Sequence, residues 1–320
     1  MAGGERARGT ARLPTIYSTT RMIRILGTIL LALLGLAFGS FLNVCLTRWP
    51  KGESIVKPRS RCQSCGRTLA WWENVPLASW LALRGRCRTC RAVIGWRYPL
   101  VELAVGALWG WQAWQFLSAA FDPGLPAIVV AQSVLASAGR LVFYWLLVAL
   151  AVLDAENLWL PNWLTLPGIA LGFAVTLIRA ALDSHALMSQ SVEPMRFSVA
   201  HEALSAGVAI AVSAGMLLLV RWVYWLVRRQ EGIGLGDVKL MALLAAWLGL
   251  AGTMLALSVG VLLGAVAALS LLAAPAMRRE PGKWMQSKLP LGTFLCIGGV
   301  VSALWGDRLL AAYLQWVGLS

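Results

Sequence analysis

Apolar stretches of about twenty residues recur along this 320-residue chain, and that recurrence limits its possible folds more than any single motif. A helix needs ~20 mostly apolar residues to cross the hydrocarbon core of a bilayer. Eight stretches meet or approach that length, near residues 25–46, 100–120, 131–153, 163–182, 204–227, 240–251, 253–275 and 291–317. The sixth is short, and only Gly252 separates it from the seventh, so seven spans also fit. Only 13% of the residues are charged, against ~25% in soluble domains, which excludes an ordinary soluble globular protein. The expected fold is an all-α polytopic membrane protein of about eight transmembrane helices.

The net charge is +14, so the few charges are strongly biased. Residues 47–99, between the first two spans, form a polar block with eleven basic residues against only Glu53 and Glu73. Short loops rich in Lys and Arg stay on the cytoplasmic side. Strict alternation then puts residues 155–162, 228–239 and 276–290 inside as well. The last two of these carry Arg228, Arg229, Lys239, Arg278, Arg279, Lys283 and Lys288, whereas the loops between them, 121–130 and 183–201, carry only Arg196. One segment disagrees. Residues 1–24 contain Arg6, Arg8, Arg12, Arg21 and Arg24 on the side that alternation places outside. An internal start at Met22 accounts for this, as does translocation against the bias. A cleaved signal peptide fits poorly, because the apolar stretch is long and no small-residue cleavage site precedes the polar block. The expected organisation is a basic extension (1–24), a first helix (25–46), a cytoplasmic block (47–99) and a membrane domain (100–320).

Two CxxC pairs lie in the block, Cys62 with Cys65 and Cys87 with Cys90, with 21 residues between them. Together they offer four thiolates to one tetrahedral ion, the pattern of a structural zinc site. Disulfides would need an oxidising compartment, which the charge bias argues against. The block has little apolar core and needs such a clamp to fold, so a zinc-ribbon-like insertion is expected. Its arginines suit nucleic acid too. Membrane orientation already accounts for them, and no nucleic-acid partner is expected.

Acidic residues are scarce, and two of them end apolar stretches. Asp154 closes the third in VALAVLDAENLWLPN, and Asp237 opens the sixth in EGIGLGDVKLMALL. Alternation sets both at cytoplasmic helix ends, at matched depth. Ionisable groups in a span are costly unless paired or functional. Two carboxyls sharing a low-dielectric site cannot both ionise easily, so one keeps its proton. That suits peptide hydrolysis, with one member activating water and the other protonating the carbonyl oxygen and the leaving amine. Gly232, Gly234 and Gly236 fit a loop that needs positive φ or close backbone approach beside a peptide. The bland alternative is helix capping by Asp237 and an interfacial place for Asp154.

GLGDVK resembles the GxGD signature of polytopic aspartyl proteases, and the wider pattern resembles bacterial type IV prepilin leader peptidases with N-methyltransferase activity. GSFLNVCLTRWP, the CxxC pairs, ENVPLASWLALRGRCRTC, RYPLVE, LDAENLWLPN and PLGTFL look like that family's blocks in its order. The resemblance implies that Asp154 and Asp237 are catalytic and that substrates are type IV prepilins or type II secretion pseudopilins in the bacterial inner membrane. It also implies that S-adenosylmethionine serves as methyl donor for the new N-terminus. Two departures are visible. The family's LPD reads Leu160-Pro161-Asn162, and its PFGP reads Pro290-Leu291-Gly292-Thr293. Neither removes a catalytic aspartate. Competing readings are a peptidase without methyl transfer, a proton-coupled transporter and a membrane-anchored zinc adaptor.

Overall fold

The computed structural model describes residues 13–120, 125–188, 199–230, 234–273 and 289–318. Helices carry the fold: α1 (Leu13–Arg48), the short α2 (Ala78–Ala82), α3 (Arg97–Ala120), α4 (Ala127–Asn157), α5 (Asn162–Met188), α6 (Val199–Arg228), α7 (Leu235–Ala273) and α8 (Leu291–Val317). Among the described residues there is no strand, only the single antiparallel bridges Arg61–Thr68 and Arg86–Val93. Arg6, Arg8, Arg12, Gly232 and most of the 276–290 loop lie outside the described residues.

Among the described residues, six helices are long and apolar enough to cross a membrane: Thr19–Lys51, Ala127–Asn157, Asn162–Ser184, Val199–Arg228, Leu235–Leu271 and Leu291–Val317. The expected second span is the 24-residue α3, which is not among them. The expected sixth and seventh spans are both contained in α7, whose break falls at Gly249 rather than Gly252. Gly249 has φ 67° and ψ −176°, a conformation essentially reserved for glycine. Gly252 is small for a different reason, since a Cβ there would approach Leu248 Cβ to 2.9 Å and Ser302 Oγ to 3.3 Å.

Two compact units emerge, Met1–Arg48 with Glu53–Leu141, and Trp49–Gly52 with Val142–Ser320. In the first, α1 and α3 run antiparallel in close contact. A Cβ on Gly35 would lie 3.0 Å from Gly106 Cα, and one on Gly39 would lie 2.7 Å from Glu102 Cα. Small residues four apart on both helices, Gly35 with Gly39 and Gly106 with Gly110, permit this approach in lipid, where packing rather than apolar burial holds helices together. Polar bonds extend the pair, with Asn43 Nδ2 donating to the Tyr98 carbonyl at 2.9 Å and Gln112 Nε2 to Ser137 Oγ at 3.2 Å.

In the second unit, α7 reverses at Gly249. Along α8, Phe294 and Leu295 lie against Gly260, Gly298 against Ala256, and Ser302 Oγ donates to the Gly252 carbonyl at 2.8 Å. Gly299, by contrast, faces Leu244 of the first arm. The second arm of α7 is therefore antiparallel to α8 and the first arm parallel to it. The first arm, residues 235–248, is the core: Leu240, Met241, Leu243 and Leu244 are fully buried. Trp247 stacks on Phe143 at 5.1 Å and donates to the Gly168 carbonyl at 3.0 Å.

Candidate active site and metal centre

Asp154 stands in the last turn of α4, buried at 5% exposure. Past it the chain takes a positive φ at Leu158, and Pro161 leads into α5. Asp237 is the third residue of α7, its N–H donating to the Gly234 carbonyl at 3.2 Å. The two carboxyl groups lie within electrostatic range of each other, and both act on the buried Cys296 of α8. Asp154 and Asp237 are 83 positions apart in sequence, and one side chain bridges the helix ends beside them. Leu160 Cδ1 would be 3.2 Å from a Cβ on Gly236 and 3.1 Å from a Cβ on Gly292. Leu160 is thus wedged between the α7 and α8 N-termini beside Asp154.

Gly292 has its own constraint, because a Cβ there would come within 2.9 Å of Asp154 Cγ and Oδ2. Neither Gly234 nor Gly236 has positive φ. Gly236 matters for close approach to Leu160, while a Cβ on Gly234 would meet Asp237 Oδ2 only at an ordinary 3.6 Å. Thr293, which departs from the family pattern in the PLGT run, is a direct partner of Asp154. Its N–H donates to Oδ2 at 2.7 Å, and its hydroxyl lies 3.2 Å from the same oxygen. The other departure, Asn162, accepts a hydrogen bond from Lys239 of α7. Sequence spacing could not reveal Thr293 or Leu160 as neighbours of the site, although both stand in runs that depart from the family pattern.

In the first unit, the Sγ atoms of Cys62, Cys65, Cys87 and Cys90 all lie within 4.8 Å of one another. Cys62 Sγ and Cys90 Sγ are 3.8 Å apart. A tetrahedral ion with Zn–S bonds of ~2.3 Å sets its sulfurs ~3.8 Å apart, so the four thiols fit zinc. The two halves repeat one turn. Gly66 N–H donates to the Cys62 carbonyl and Arg91 N–H to the Cys87 carbonyl, each at 3.0 Å. Both residues take positive φ, 71° and 58°. The turns aim backbone N–H groups at sulfur: those of Cys90 and Thr89 pull the Cys87 thiol down to about 6. The N–H of Cys65 likewise lowers Cys62. Beside the cluster, Arg67 and Glu73 form an ion pair of 2.6 Å that holds Glu73 below its usual range, and Glu73 also accepts from Ala70 N–H at 2.7 Å.

A cavity of about 330 Å³ opens between this cluster and the α1/α3 pair, lined in part by Asn43, Glu73, Trp80, Tyr98 and Glu102. Asn43 Oδ1 is buried with no hydrogen-bond partner. Glu102 is buried at 7% exposure, with its Oε2 accepting from Leu77 N–H at 2.8 Å. Its carboxyl also bonds the Ser40 hydroxyl, and no ion pair joins it among the described residues.

The sequence of residues 33–116 matches the model of the bacterial peptidase A24 N-terminal domain, and residues 141–269 match that of the type IV leader peptidase family. A Pseudomonas aeruginosa protein named prepilin leader peptidase/N-methyltransferase is 33% identical over 309 residues, spanning 89% of this chain and 93% of the relative. The chain belongs to the type IV leader peptidase family. Family members of the same name from Stutzerimonas stutzeri and Burkholderia pseudomallei are each 34% identical, spanning 89% and 85% of this chain and 93% and 84% of the relatives. No solved structure matches. The four cysteines fall within the first matched segment of this family member and both aspartates within the second, while Gly292 and Thr293 lie beyond it.

Proposed function

We propose that this protein is a membrane aspartyl endopeptidase that removes the short basic leader of type IV prepilins or type II secretion pseudopilins, then N-methylates the new N-terminus. The observation that carries the peptidase reading is the convergence of Asp154 and Asp237, from separate helices, at one cluster of helix ends. Asp154 and Asp237 are the catalytic pair. One carboxylate takes a proton from water as its oxygen bonds to the scissile carbonyl carbon. The carboxylic acid partner protonates the carbonyl oxygen, and the C–N bond then breaks as the amine collects a proton. The positive bias of residues 47–99 supports an active site on the cytoplasmic side of the inner membrane.

The methyltransferase reading rests on the cavity beside the cysteine cluster and on the names of the relatives. Its volume falls at the low end of the ~300–1,000 Å³ of small-molecule pockets. A buried acid without a cation partner and an orphaned amide oxygen suit a positively charged ligand with further donors, and S-adenosylmethionine is one. When bound, it supplies the methyl group. Glu102 and Asn43 would hold and orient the cation, and the α1/α3 pair would wall the site from lipid. Zinc, held by Cys62, Cys65, Cys87 and Cys90, is a structural clamp for that wall and takes no part in cleavage.

Incubation with a prepilin in membranes, read by mass spectrometry, tests both readings. Asp154→Asn and Asp237→Asn each abolish leader cleavage while the protein still inserts, and normal processing by either would sink the catalytic pair. Glu102→Gln reduces methylation and leaves cleavage intact.

A further inference from the structure

The mechanism needs one aspartate charged and one protonated, and the surroundings of the two carboxyls differ. Asp154 Oδ2 receives the Thr293 N–H at 2.7 Å. Thr293 is the third residue of α8, so this N–H is one of the four first-turn amides that have no partner inside a helix. Pro290, at the N-cap position, offers no side-chain cap. Asp154 therefore caps α8 from another helix, and the positive end of that helix faces its carboxylate. The Thr293 hydroxyl carries one hydrogen and stands between two acceptors, Ala151 O at 2.9 Å and Asp154 Oδ2 at 3.2 Å. Its amide is a fixed donor to Asp154, and its hydroxyl is a donor that can switch onto it.

We infer that Thr293 is a positioning residue that keeps Asp154 as the ionised, water-activating member of the pair, leaving Asp237 to carry the proton. This rests on the reading of the two aspartates as catalytic. Hydrogen bonds to a charged form favour that form, and an N–H can only donate. The groups facing Asp154 from packed elements are Asp237 of α7 and Cys296 of α8. Neither is a cation. On its own helix Glu156 follows, exposed, and Lys239 of α7 is engaged with Asn162. The hydrogen-bond donors on Asp154 thus come from the start of α8.

The test is the pH profile of kcat/KM for prepilin cleavage in three variants. Thr293→Pro removes both donors, and proline is tolerated in a first helical turn, where the N–H has no intrahelical partner. The half-activity point on the acid side then rises by about one pH unit, a roughly tenfold loss of cleavage below it, while the alkaline side stays. Thr293→Val keeps the amide and shows a smaller shift in the same direction. Thr293→Ser keeps both donors and restores the wild-type profile. A uniform drop at every pH with unchanged shape, or a shift confined to the alkaline side, overturns the inference. If Asp154→Asn or Asp237→Asn still cleaves, the catalytic pair itself fails. If both are inactive while Thr293→Pro keeps the wild-type shape, only the role given to Thr293 fails.

Discussion

The cysteine cluster and the aspartate pair solve the same problem, gathering like-charged groups, by opposite means. The cluster is built from two short turns of nearly identical hydrogen bonding, each closing within six residues, from Cys62 to Arg67 and from Cys87 to Ala92. Each half is locally complete, and only their meeting is long-range. The aspartates have no such local frame. Asp154 ends one helix, Asp237 starts another, and the donors on Asp154 come from residue 293. The cluster can tolerate much around it so long as its turns form, whereas the aspartate site depends on the packing of the unit that holds it.

That contrast gives perturbations of decreasing size. Cys65→Ser removes a zinc ligand, and structural zinc contributes about 10–16 kcal/mol to folding in small sites. The variant loses its zinc by elemental analysis and its methylation, yet keeps leader cleavage; loss of cleavage as well would erase the distinction drawn above. Gly292→Ala acts on the other centre. Its methyl group would press on Asp154 at 2.9 Å, and a displacement of ~1 Å can lower turnover ~10²-fold, with zinc content unchanged. Gly234→Ala, with only the 3.6 Å contact, has a much smaller effect on cleavage.

The third perturbation is acid. Because Arg67 holds Glu73 below its usual range, the carboxylate stabilises the block above its unfolded value of ~4.3, and this is lost as pH falls through the lower folded value. Wild type is therefore more stable than Glu73→Gln at neutral pH, and the gap, read from tryptophan fluorescence in denaturant, closes as the solution is acidified below ~4. The smallest effect is Arg91→Gly. Arg91 holds in its turn the left-handed conformation that Gly66 holds in the other. Glycine relieves about 1 kcal/mol of strain, seen as a modest rise in the unfolding midpoint of the block.

How legible these regions are in the sequence follows from the same difference. The apolar stretches gave the all-helical membrane fold directly, and CxxC spacing gave the cluster, because both signals are local. The boundary inside α7 was displaced from Gly252 to Gly249, since two glycines three residues apart satisfy the same pattern and only packing separates a turn from a close contact. The aspartates could be paired from charge bias and family resemblance. Their neighbours could not: Thr293 reads as a neutral exchange until α8 is folded against α4, and Asn43 and Glu102 look like ordinary polar residues near helix ends until the cavity forms between them.

The reversal at Gly249 also fixes a length. At 1.5 Å per residue the fourteen-residue first arm of α7 is about 21 Å long, well short of a ~30 Å hydrocarbon core. Thr253 Oγ1 donates to the Gly249 carbonyl at 2.6 Å and Ser302 Oγ to the Gly252 carbonyl, so the turn can lie within the apolar layer with these carbonyls satisfied. An enzyme anchored on so short a core helix is sensitive to hydrophobic mismatch: reconstituted in lipids of increasing acyl-chain length, it loses cleavage activity as the bilayer thickens.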